Sequence, residues 1–135
     1  DKESEIAEVD LRENKFSITA AVHFAATLRS NARIKIVSTV PVASMRLDKI
    51  SQLDLSHSSL GDFEMAILIA ALRDNHSVEH LLLHNNEFTA TGYRAFADQL
   101  QSKVCEQIKS IGSLRIGQFQ QMLSESDAGV QTSIV

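Results

Sequence analysis

The strongest constraint on this chain is that it repeats itself. Ile6–Asn31, Ile50–Asn75 and Val78–Lys103 align without gaps. In the first segment Ile6, Val9, Leu11, Asn14 and Phe16 stand at offsets 0, 3, 5, 8 and 10. Ile50, Leu53, Leu55, Ser58 and Leu60 fill those offsets in the second, and Val78, Leu81, Leu83, Asn86 and Phe88 in the third. Each set is followed by an apolar stripe spaced i, i+3, i+4, i+7: Ala21, Phe24, Ala25 and Leu28, then Met65, Leu68, Ile69 and Leu72, then Tyr93, Phe96, Ala97 and Leu100. Alternation at offsets 3 and 5 is the mark of a short strand with one apolar face, and the stripe is that of an amphipathic helix. Neither element covers its apolar face alone, so neighbouring units must stack, with their strands parallel and their leucines in one core.

The spacing is uneven. Leu53 and Leu81 lie 28 residues apart but Val9 and Leu53 lie 44 apart, which leaves 16 residues over. Units of about 6–33, 50–77 and 78–110 result, with 34–49 an insertion or a degenerate repeat. Asn31-x-x-Ile34 echoes Asn75-x-x-Val78 and predicts a short strand from Ile34 to Val40. Pro41, the only proline, should end that strand because it has no N–H for a ladder, and Val42–Lys49 is too short for the usual return helix. Ile111, Leu114 and Ile116 repeat offsets 0, 3 and 5 and predict a terminal strand over 111–116, although Gly112, Gly117 and Phe119 fit the motif poorly. Ser17, Asp62 and Thr89 are the expected helix caps, and Gly92 within the third helix points to close packing. The repeat domain is expected over 1–123, with 124–135 as a flexible tail.

The order Leu-x-x-Leu-x-Leu-x-x-Asn, followed by a long helix at a 28-residue period, resembles the ribonuclease-inhibitor-like class of leucine-rich repeats over roughly Ile6 to Leu100. The resemblance implies an α/β fold: a right-handed solenoid with short parallel strands on the concave face and helices on the convex face. Ser58 stands where the pattern has Asn, and Ala20 and Glu64 stand where the third unit has Gly92, so the array is irregular. Proteins of this class include inhibitors, immune sensors, the GTPase-activating protein of Ran and the actin-capping tropomodulins. The resemblance therefore speaks to fold and leaves function open.

Composition narrows the function classes. The 135 residues carry 13 Lys+Arg against 17 Asp+Glu, a formal net charge of −4, and are 44% hydrophobic, as in a soluble domain that buries a core without staples. Mild acidity argues against nucleic-acid binding, which needs clustered Lys and Arg. No apolar run approaches the roughly 20 residues of a membrane span, and Asp1-Lys2-Glu3-Ser4-Glu5 lacks a signal-peptide layout, so no membrane role is expected. The single cysteine, Cys105, cannot form an internal disulfide, which fits a reducing, cytoplasmic setting. It reads as a packed or surface thiol rather than a reactive one. There is no Gly-x-Ser-x-Gly elbow and no phosphate-binding loop, so neither enzyme activity nor a cofactor is expected.

In the predicted register, offsets 2, 4 and 6 point outward: Glu8, Asp10 and Arg12; Gln52, Asp54 and Ser56; His80, Leu82 and His84; with Arg115 beyond. The candidate partner-binding residues are Asp10, Arg12, Gln52, Asp54, His80, Leu82 and His84. An acidic row, Asp10 and Asp54, runs toward Leu82 flanked by two histidines, a patch suited to a partner's basic or apolar anchor. The plainer alternative is a solvated sheet surface, or a Leu82 covered by the C-terminal segment. His76, His80 and His84 are spaced by four, but only the last two share a strand face, so no metal site is expected. His23 and His57 read as surface residues. Asn75-His76-Ser77 matches the glycosylation sequon, with no sign that it is used, and Ser133-Ile134-Val135 resembles a PDZ-domain ligand if Val135 is the natural end. The function expected is a non-enzymatic protein-interaction or scaffold module. The alternatives are a GTPase-activating module resembling that of Ran and tropomodulin-like capping of actin ends. Because Leu83 is expected to point inward, Leu83→Ala should cost about 2–5 kcal/mol in urea unfolding; unchanged stability would place that side chain outside the core.

Overall fold

Strands and helices alternate along most of the chain. The structure, a computed structural model, describes residues 8–14, 16–31, 33–101 and 106–125. Among them it is a mixed α/β fold with five helices and short strands. In chain order these are β1 (Glu8–Val9), α1 (Ile18–Ser30), β2 (Ile36–Val37), α2 (Val42–Arg46), β3 (Gln52–Asp54) and α3 (Asp62–Arg73). They continue as β4 (His80–Leu82), α4 (Ala90–Gln101), β5 (Ser110–Ile111), β6 (Leu114–Arg115) and α5 (Ile116–Glu125). β1 and β2 pair in parallel, with Glu8 opposite Ile36. A second sheet runs in the order β3-β4-β5-β6. In it β4 lies parallel to β3 and to β5, while β6 returns antiparallel, and no barrel closes.

The register of β4 on β3 equals the sequence period: Gln52, Leu53 and Asp54 lie opposite His80, Leu81 and Leu82. Leu53, Leu55, Leu81 and Leu83 are buried, and the helix residues Met65, Leu68, Leu72, Tyr93 and Phe96 close over them from the other side. The backbone repeats as well. Glu13, His57 and Asn85 all stand at offset 7, and all have positive φ (65°, 52° and 58°). A non-glycine residue enters that left-handed region at some cost, so the same reversal carries each strand toward its helix.

Asn86 ties two units together. Its Oδ1 accepts from the N–H groups of Ser58 and Leu60, both at 3.0 Å, and its Nδ2 donates to the carbonyls of Leu55 at 2.8 Å and Leu83 at 3.0 Å. The other expected caps divide. Ser17 does cap α1, accepting from the Ala20 N–H at 3.1 Å. Asp62 does not cap its own helix: Gly61 is the N-cap of α3, and its N–H donates to Glu64 Oε1 at 2.9 Å. The Asp62 carboxylate instead receives the N–H of Thr89, at 2.9 Å, and its hydroxyl. A Cβ on Gly92 would lie 2.3 Å from Asp62 Oδ1, which accounts for glycine there.

Several expectations are corrected. Residues 34–49 hold a half-size strand-helix segment, with β2 two residues long and the five-residue α2 where the other segments have a full-length helix. The predicted strand to Val40 stops at Val37 because Ser38 and Thr39 both have positive φ and turn Val40 back on Val37. The predicted strand 111–116 is a tight hairpin, reversed at Gly112 (φ 60°), and the chain then enters α5, which reaches Glu125, just past the expected start of the tail at 124. Cys105 and the final Ser133-Ile134-Val135 lie outside the described residues. Asn86→Ala would leave two N–H groups and two carbonyls without their partner, so it should lower the unfolding free energy by about 3 kcal/mol. Asn14→Ala, whose amide donates only to Leu11 and Arg12 of its own loop, is the control expected to change little.

Candidate protein-binding face

Because side chains alternate on β3 and β4, the residues between the buried leucines face outward. Gln52, Asp54 and His80 are exposed, and Leu82, His84 and Ser56 are half-buried. The ladder sets them in two rows. Gln52 lies opposite His80, and His80 opposite Ser110, whose Oγ is 2.7 Å from His80 Nδ1. Asp54 lies opposite Leu82. Past the strand ends the His57 N–H donates to the His84 carbonyl at 3.0 Å. Their rings meet edge to face with centroids 5.1 Å apart, and Asn85 Nδ2 lies 3.2 Å from His57 Nε2.

Electrostatics sharpen this face. Asp54 accepts from the Ser56 hydroxyl and from the Ser56 N–H at 3.0 Å. Those bonds hold its carboxyl below the usual range, with His84 and His57 adding a smaller pull, so it is ionised at neutral pH. The face thus sets a fixed anion and two edge-packed imidazoles around one aliphatic side chain, Leu82. Among the described residues, no group of three or more His, Cys, Asp or Glu is placed to hold a metal.

The proposed acidic row is not continuous. Asp10 and Arg12 follow β1, which pairs with β2, and no ladder joins β2 to β3 among the described residues. Asp10 is held down to about 2 by the Arg12 guanidinium, which donates to it from Nε at 2.8 Å and Nη2 at 2.7 Å. Arg12 Nη1 also donates to the Ser58 carbonyl at 2.9 Å, so this arginine fastens the first unit to the β3–α3 loop. Gln52, Asp54, His80, Leu82 and His84 are brought together, while Asp10 and Arg12 stand apart as an ion pair.

Sequence reasoning placed His57 at the surface without seeing its contact with His84. The signal was there: His57 and Asn85 share offset 7, so the left-handed turn that repeats between units brings their side chains together. His76 lies in a turn as expected, with Nδ1 3.5 Å from Asp48 Oδ2. The sequon asparagine, Asn75, is 1% exposed, and its Nδ2 donates to the Met45 carbonyl at 2.8 Å, so the folded chain does not present it for modification.

Glu64 was also missed, since a charged residue in the first turn of a helix usually faces water. It is 3% exposed. Burial raises its carboxyl above the usual range and nearby Asp10 adds to this, while the Gly61 N–H, its own N–H and the Ser38 hydroxyl pull the other way. Even so, Oε2 has no partner of good hydrogen-bond geometry among the described residues. Comparisons of the chain with protein-family models, curated proteins and solved structures find no match.

A carboxyl that holds its proton longer when folded destabilises the fold as pH rises from the ordinary glutamate range through its raised value, and the penalty persists above it. Glu64→Gln keeps an acceptor for Gly61 and carries no charge. It should raise the melting temperature at pH 7 by about 4 °C, with the difference closing below the ordinary glutamate range. Calorimetric scans across pH check this, and a variant no more stable than the parent at pH 7 would refute it.

Proposed function

We propose that the chain is a leucine-rich-repeat solenoid module without enzymatic activity of its own, which binds another protein through the outward, concave face of β3 and β4. The repeat reading is supported by the 28-residue register of β4 on β3, the left-handed residue at offset 7 in each of the three full-length units, and the bridging amide of Asn86. Stacked units of this kind hold a strand face rigid, so little ordering entropy is lost when a partner docks there.

The observation that carries the binding role is Leu82. It is a half-buried aliphatic side chain on the outward row, opposite the ionised Asp54 and between His80 and His84. An apolar anchor point inside a polar rim is the layout in which a few residues dominate an interface. Gln52 extends the polar rim along the first row. Charge on this face favours a partner that offers an apolar side chain beside a basic one, since Asp54 is the fixed charge there.

Affinity capture with the parent chain, Leu82→Asp and the helix-face control Val22→Asp tests the reading. Loss of one defined partner with Leu82→Asp alone, with circular dichroism unchanged, is the expected result. Retention of every partner by Leu82→Asp would move the contact away from the strand face.

A further inference from the structure

Where the strands turn into the helices, a groove of about 380 Å³ opens on a side of the molecule that the strand-face reading does not use. One wall is aromatic. Phe16 is 45% exposed, and its ring packs 5.0 Å from that of Phe63, which Phe24 backs at 6.3 Å. Glu13 and Glu87, both exposed, stand on the rim, and Asp62 and Glu64 line it from α3. No lysine or arginine is among the described lining residues.

Two observations make this more than a run of acids. An exposed aromatic face lies within the ring of carboxylates, and Glu64 is nine-tenths buried with Oε2 unpartnered while lining the groove. A buried acceptor without a donor is an unmet demand for an N–H group. The N-termini of α1, α3 and α4 open nearby and oppose a cation, each with about half a positive charge. Together they offset on the order of 1.5 charges, and the Arg12 guanidinium also acts on Glu64 and Glu13, against four carboxyl groups.

We propose that this groove binds the guanidinium of an arginine side chain presented by a partner protein, stacked on Phe16 and bridged by Glu13 and Glu87. A planar guanidinium lies flat on a ring while its edge N–H groups reach carboxylates on either side, a fit that the compact ammonium of lysine does not match. A metal ion suits the groove poorly, because no three acidic groups among the described residues are placed to hold one. Lys15, beside Phe16 in sequence, lies outside the described residues, so the test includes its neutral variant.

The test is a ¹H–¹⁵N NMR titration at low ionic strength with N-acetyl-arginine methylamide, using the citrulline analogue as a neutral isostere. Saturable shifts confined to residues 13–16, 59–64 and 87–89 are expected with arginine and not with citrulline. Glu87→Gln and Phe16→Ala should each weaken binding about fivefold, whereas Asp54→Asn on the strand face should leave it unchanged. Glu13→Gln keeps the test open if Phe16→Ala loses its fold. Lys15→Gln should bind arginine as the parent does or more tightly. Equal shifts with citrulline, shifts spread over acidic residues throughout the chain, no effect of Glu87→Gln, or binding only after Lys15 is removed would each overturn the proposal. Leu82→Asp acts only on the strand face, so failure there and failure here are told apart.

Discussion

No unit of this chain can satisfy its own backbone. The strands are two or three residues long, and the loops that leave them carry N–H and C=O groups that no helix or ladder reaches. The amide of Asn86 makes four hydrogen bonds to those groups, three of them in the preceding unit (Leu55, Ser58 and Leu60) and one, to Leu83, in its own. Asn75 does the same work at the opposite end of the strands. It receives the Ser77 and Val78 N–H groups at 3.1 and 2.9 Å and donates to the Met45 carbonyl, while Gln107 Nε2 donates to its carbonyl at 2.7 Å. An unpaired buried polar group costs about 1–3 kcal/mol, so these two side-chain amides help to fix how neighbouring segments sit against one another. The leucines supply the driving force, and the amides choose the register.

That arrangement also bears on where the repeating pattern departs from regularity. Ser58 occupies offset 8 in its unit, and its hydroxyl donates to the Ser56 carbonyl of the same loop at 3.0 Å. Among the described residues that hydroxyl makes no bridge backward, and no ladder crosses from β2 to β3. Continuity there passes to other contacts: α1 packs directly on α3, Arg29 Nε pairs with Asp74 at 3.0 Å, and Arg12 reaches the Ser58 carbonyl. The half-size unit therefore shifts the first strand relative to the third. One consequence is that Asp10 stands apart from Asp54. The other is that Phe16 packs on Phe63 at the first turn of α3 and stays open to solvent, unlike its buried equivalents Leu60 and Phe88.

The strand face was legible because its logic is local. Alternation in Leu53-Asp54-Leu55 and Leu81-Leu82-Leu83 sends one set of side chains inward, and the matched offsets bring Gln52 beside His80 and Asp54 beside Leu82. The helix stripes were legible for the same reason. Less could be read at 34–49, where Ser38 and Thr39 adopt left-handed conformations that their residue types do not advertise, and at 111–116, where Gly112 turns an expected strand into a hairpin. Asp62 read as a cap for its own helix because a carboxylate at a helix start usually is one. Its partner is Thr89 of the next unit, which no local pattern reveals.

By itself, then, the sequence determined the period, the inward and outward faces of the strands and the apolar side of each long helix, since all of these follow from residue spacing within one unit. Only the tertiary structure decided that Glu64 is buried, that Phe16 is exposed, that His57 meets His84, and that the first strand pairs with the short unit. Each of those depends on how far one unit is displaced against another, a distance governed by packing and hydrogen bonds between segments far apart in the chain.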